Sequence, residues 1–289
     1  MIQRRLAVLV TLLVLLAAGI ASAAPVVISY RDPVAAGLAE RFERTWQRQG
    51  PALVDDLVPA GVVLDTVACY LVSTEEFRSA LRGGVADWGI GAAFDGGRVI
   101  AIDHERVLTT GPGPESVFVH EMTHALLEQS VGAARLPHWF HEGIAMRASG
   151  EWRFVDSLAV ILSGRLPSLD RLDHAFPRAR GRSQTAYRTS LAAVTYLESE
   201  HGPAAVPRVL GATRNLGDFA AGFRDATGET PEQFARRFAG AMRVRYGWVL
   251  MLFRWPTLFV IMALVFLVGA VRKIVINRRA LRMEDEGEE

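Results

Sequence analysis

His120-Glu121-Met122-Thr123-His124 puts two imidazoles and a carboxylate within five residues. On a helix, positions four apart lie about 40° from one another around the axis, so His120 and His124 project from one face. Both can then reach one zinc ion at about 2.0–2.1 Å. Glu121, one residue on, points beside such an ion, where it can take a proton from an activated water as general base. A catalytic zinc needs three protein ligands and an open position, which leaves one ligand to find. A histidine six residues past the second could supply it, but position 130 is Ser130. Glu142 lies eighteen residues after His124, within Pro137-His138-Trp139-Phe140-His141-Glu142-Gly143-Ile144-Ala145. A Glu on the next helix, after a short turn, can fold back onto the same metal. His138 and His141 flank it and are the alternative ligands.

The elements that must position these groups show in the apolar periodicity. Val26 to Tyr30 and Asp65 to Val72 read as strands, and Trp88 to Phe94 and Arg98 to Ile102 as strands around the hairpin turn Asp95-Gly96-Gly97. Leu38, Phe42 and Trp46 recur at four-residue spacing, which predicts an amphipathic helix over 35–49. A short helix opens at Thr74, its expected N-cap. Beyond residue 115 the pattern becomes mainly helical: the motif helix over 115–129, ended by Gly132, a second from Pro137, and a third over 186–200. Thr230-Pro231-Glu232-Gln233 is a capping box with proline at the first helical position. The expected fold is α+β, a small N-terminal mixed sheet with helices followed by a mainly helical part that carries the motif helix.

The pair H-E-x-x-H and W-x-x-E-G-x-A, about eighteen residues apart, resembles the gluzincin metallopeptidases, and most closely the peptidase MA-like proteins of bacteria. The likeness covers roughly residues 60–240 and includes the hairpin before the motif helix, Tyr187 and its helix, Gly202, and the segment from Gly228. It implies a zincin-like fold with a thermolysin-like catalytic domain. It further implies zinc held by His120, His124 and Glu142, with Glu121 as general base. The edge strand near Gly91 to Phe94 would hold an extended peptide by main-chain pairing. Tyr187 stands where such proteins often place a tyrosine that steadies the oxyanion; His138 or His141 could serve instead. Thermolysin-like enzymes carry an acid four residues past the third ligand to support one histidine. Here that position is Met146, which sends the search for a supporting group elsewhere, with Asp156 as a candidate.

The ends carry the cellular address. Residues 1–24 combine Arg4 and Arg5, an apolar stretch from Leu6 to Ala18 and small residues before Pro25, the pattern of a secretory signal. Trp255 to Val271 is uncharged and apolar, and with the residues from Val249 it predicts a single transmembrane helix over 249–271. Arg272, Lys273, Arg278, Arg279 and Arg282 follow as a cytoplasmic flank within the tail 272–289. Residues 25–245 are then the peptidase domain, exported to the periplasm or cell surface of a bacterium and anchored in the membrane. Basic residues are scattered through that domain, which gives nucleic-acid binding no support. Cys69 is the single cysteine, in an apolar run, and reads as core.

The expected activity is peptide-bond hydrolysis on a peptide or protein substrate. The competing reading is an inactive, membrane-tethered zincin-fold binding or scaffolding module, and the intact Glu121 speaks against it. Cleavage within the bilayer is disfavoured, because the motif helix carries Glu115, Glu128 and Gln129.

Overall fold

Apolar residues alternate along four short strands that hydrogen-bond in the order β1–β2–β4–β3. β1 (Val26–Tyr30), β2 (Val67–Val72) and β4 (Val99–Asp103) run parallel, and β3 (Gly91–Phe94) lies antiparallel to β4 at one edge. The computed structural model describes residues 25–80, 89–109, 113–150, 169, 180–252 and 255–285; the secretory-signal segment and Asp156 lie outside them. The fold is α+β, mostly helical with this one small mixed sheet.

Register puts Ile28, Cys69, Ile100 and Ala93 in one row and Leu71, Ile102 and Gly91 in the next, all on one face. Cys69, Leu71, Ile100 and Ile102 are buried there in the main core, as expected for Cys69. The core continues into α1 (Ala36–Leu57) through Leu38, Phe42 and Trp46. This helix runs past the expected stop at 49 and straight through Pro51. An internal proline costs about 3 kcal/mol. Burying Leu53, Val54 and Leu57 beyond it returns roughly 1.5–3 kcal/mol for each side chain, so packing outweighs the local penalty. At α2 (Thr74–Ala80) the cap is Ser73, not Thr74. The Ser73 hydroxyl accepts from the Glu76 amide at 3.3 Å, and Glu76 Oε2 accepts from the Ser73 amide at 3.1 Å, a reciprocal capping box.

The turn between β3 and β4 forms as predicted, with positive φ at Asp95, Gly96 and Gly97. A short helix, α3 (His104–Val107), follows β4. The motif helix α4 (Pro114–Val131) opens with proline in its first turn and ends at Gly132, φ 65°. Most of its side chains are buried, including Phe118, Met122, Leu126 and Leu127. One stripe of α4 clamps the hairpin. A Cβ at Gly91 would lie 2.5 Å from Glu121, and one at Gly97 2.2 Å from the Ala125 carbonyl oxygen. Gln129 Nε2 donates to the Gly97 carbonyl at 2.8 Å. Residues 121, 125 and 129 thus face the sheet, while His120 and His124 lie around the helix from them.

α5 (His138–Ser149) packs between α4 and α6 (Arg180–His201), the latter beginning before the expected residue 186. α7 (Ala205–Leu216) and α8 (Phe219–Thr227) pack on each other, with Gly222 against Thr213, and α9 (Pro231–Leu252) starts from the expected capping box. There Thr230 N donates to Gln233 Oε1 at 2.8 Å, and Gln233 N to Thr230 Oγ1 at 3.3 Å.

The C-terminal apolar run is divided differently from the expected span over 249–271. Val249 to Leu252 belong to α9, and a separate helix, α10, covers Trp255–Asp285. Arg254 interrupts the apolar run, and Pro256, second in α10, suits a helix start and not a helix interior. Within α10 the 18 residues Phe259–Ile276 are long and apolar enough to cross a membrane, and none is buried against the rest of the chain.

Candidate metal centre

Two helices bring the site together. His120 and His124 come from consecutive turns of α4, and Glu142 from the first half of α5. His120 Nε2 lies 3.4 Å and His124 Nε2 3.6 Å from Glu142 Oε2. Ligands held about 2.0–2.1 Å from one tetrahedral ion stand about 3.3–3.4 Å apart, so the donors already have nearly the spacing such an ion requires. Among the described residues this is the group of histidine and carboxylate atoms able to share an ion; Glu142 is its third member, and neither His138 nor His141 belongs to it.

The packing behind Glu142 explains the rest of the W-x-x-E-G pattern. Trp139 is buried in an aromatic cluster, stacked on Phe234 with ring centroids 5.8 Å apart and edge-on to Phe219 and Phe223. That anchor fixes the rotation of α5 one turn before the ligand. Gly143 is where α5 meets α6: a Cβ there would stand 2.4 Å from the Ser190 carbonyl oxygen and 2.6 Å from Val194 Cγ2. Arg147, one turn on, contacts both Asp56 of α1 and Glu198 of α6. Burial raises the pKa of the Glu198 carboxyl, while the Arg147 charge opposes that shift.

Burial also sets the charge state of the imidazoles. It holds His124 well below the usual histidine range, with His141, His120 and His138 adding to the effect. His141 is lowered to about 4, again chiefly by burial. A neutral imidazole is the form that binds a metal. Glu142 Oε2 and His124 Nδ1 are buried without a hydrogen-bond partner among the described residues. An ion would satisfy the first; the second lacks the acceptor that usually holds a ligating histidine.

Glu121 packs against Gly91 of the edge strand and is not one of the three grouped donors. Its charge reaches Cys69 on the same face of the sheet, where burial first and that carboxylate second push the thiol pKa up. Tyr187 is half-buried against the core in α6, one turn before Ser190, over which Gly143 packs. Its helix is therefore a neighbour of Glu142. Sequence reasoning missed the roles of Gly91 and Gly143 and the stacking of His141 on His124. The Gly143 role had a signal, the glycine directly after the ligand in the W-x-x-E-G pattern.

No family model matches the chain. Over 132 residues it is 26% identical to an uncharacterized protein of Bacillus subtilis (strain 168), YhcO. The match spans 43% of this chain and 40% of that relative's length.

Proposed function

We propose that this chain is a membrane-anchored, zinc-dependent metallopeptidase of the gluzincin type, with a zincin-like catalytic domain outside the cytoplasm of a bacterium. The observation that carries the reading is the approach of His120 Nε2 and His124 Nε2 to a single oxygen of Glu142, at 3.4 and 3.6 Å. Two imidazoles and one carboxylate are a donor set that suits zinc. When bound, the ion supplies Lewis acidity, polarising a peptide carbonyl and making a water more acidic.

The remaining chemistry belongs to the chain. Glu121 accepts the proton of the attacking water on its carboxylate and returns it to the departing amine. The outer edge of β3, the last strand of the sheet among the described residues and the one whose Gly91 touches Glu121, pairs with an extended peptide and brings its backbone to that carboxylate. Tyr187 is the candidate for steadying the oxyanion. The apolar stretch Phe259–Ile276 is the anchor, and the secretory signal at residues 1–24 puts the domain across the membrane.

The test is zinc content together with cleavage of a peptide library by wild type and Glu121→Gln. The expected result is equal zinc, with hydrolysis only by wild type. Turnover by Glu121→Gln equal to wild type would remove Glu121 from the mechanism. Zinc without cleavage by wild type would favour the binding module.

A further inference from the structure

His141 precedes the third ligand, and its ring lies parallel to that of His124, with centroids 4.5 Å apart and 6° between the planes. His120 meets the same ring edge-on, at 4.7 Å and 81°. The His124 imidazole is thus held by one ring across its face and another at its edge.

A ligating imidazole is ordinarily oriented through its second nitrogen, which donates to a carboxylate or carbonyl. His124 Nδ1 is buried and has no such acceptor among the described residues, and the place of an acid four residues past Glu142 is taken by Met146. Torsion about the bond to an imidazole is broad and soft. Without a hydrogen bond or a packed face, the ring would lose the fixed plane that a metal ligand needs. A ring stacked in parallel supplies that restraint, because turning His124 about its χ2 drives its atoms into His141.

The same geometry separates this role from ligation. A metal lies in the plane of the imidazole that binds it. Parallel rings in contact are separated by about 3.5 Å, so the nitrogens of His141 would not be aimed at an ion that His124 held.

We propose that His141 is a positioning residue, whose ring face sets the plane of the His124 imidazole for a metal ion. This rests on the reading of His120, His124 and Glu142 as a metal site.

The experiment uses the full chain in detergent micelles, as wild type, His141→Ala and His141→Phe. Zinc affinity is measured by competition with a chromophoric chelator, and ligand geometry from the visible spectrum of the cobalt-loaded protein. Thermal unfolding of the metal-free proteins reports folding separately. His141→Ala is expected to bind zinc about 10–100-fold more weakly, with a changed cobalt spectrum, whereas His141→Phe keeps a planar face and stays within about threefold of wild type. Should His141→Ala not fold, His141→Phe still decides: a large loss of affinity there means that a nitrogen of His141 matters, and overturns the proposal. Wild-type affinity in a folded His141→Ala overturns it as well. Wild type taking up no metal overturns the metal-site reading and this proposal together; wild type binding zinc with His141→Ala unchanged overturns this proposal alone.

Discussion

Gly91 lies against Glu121 so closely that a Cβ on the glycine would stand 2.5 Å from Glu121 Oε1. The sheet and the motif helix therefore touch at the proposed base. Gly91 pairs with Ile102 on its inner side, and among the described residues no strand lies on the other side of β3. A peptide added there would run beside the carboxylate that must handle its protons. One contact relates the element that would hold the substrate to the group that would act on it.

Gly91→Ala is accordingly a probe of that group. The added methyl meets a side-chain carboxylate and not backbone, so Glu121 shifts while His120, His124 and Glu142 stay in place. Overpacking of this kind costs about 1–3 kcal/mol. The expected outcome is normal zinc content with a large loss of peptide cleavage, checked by metal analysis and library turnover on the same preparation. Full activity in Gly91→Ala would mean that the Glu121 carboxylate need not sit where it does.

Gly143→Ala tests the other close approach. Alanine in a helix interior gains about 1 kcal/mol over glycine, which by itself predicts stabilisation. Here the new Cβ meets backbone, the Ser190 carbonyl oxygen at 2.4 Å. The helices must part, at about 1–3 kcal/mol, and Glu142 moves with α5. The variant should unfold at a lower temperature and bind zinc more weakly than wild type. An unchanged or raised unfolding temperature would contradict the packing of α5 on α6 at this point.

Glu142→Ala removes the one carboxylate shared by the two histidines. Two neutral imidazoles without a third donor hold zinc poorly, so most bound metal should be lost by elemental analysis after dialysis. Normal metal content would move the third ligand to His138 or His141.

Local signals made part of this site legible in the sequence. The i, i+4 histidines, the Asp95-Gly96-Gly97 turn and the Thr230 capping box are each written within a few residues, and each forms as expected. What escaped is tertiary. The run of α1 through Pro51 depends on what Leu53, Val54 and Leu57 bury against. The needs of Gly91 for Glu121 and of Gly143 for Ser190 arise between segments about 30 and 47 residues apart. Ser73 and not Thr74 caps α2, because the residue whose hydroxyl can trade bonds with Glu76 stands three positions before it. His141 reads as a stand-in electrophile or a substitute ligand until its ring plane is known.

Arg147 offers a last prediction, on what keeps α5 in place. Its guanidinium joins Asp56 at the end of α1 to Glu198 in α6, and both Arg147 and Glu198 are largely covered. Removing one partner of such a pair costs more than the pair contributes, because the other charge stays buried. Burial already raises the Glu198 pKa with Arg147 present, so Arg147→Met leaves that carboxylate with its cost and no counter-charge. Arg147→Met should lose about 1–3 kcal/mol. Adding Glu198→Gln should recover part of it, since the amide needs no cation. A denaturant-unfolding cycle of the four proteins measures the coupling. If the double variant is less stable than Arg147→Met by the full cost of Glu198→Gln alone, the two side chains act independently and the clamp is not what holds α5 against α6.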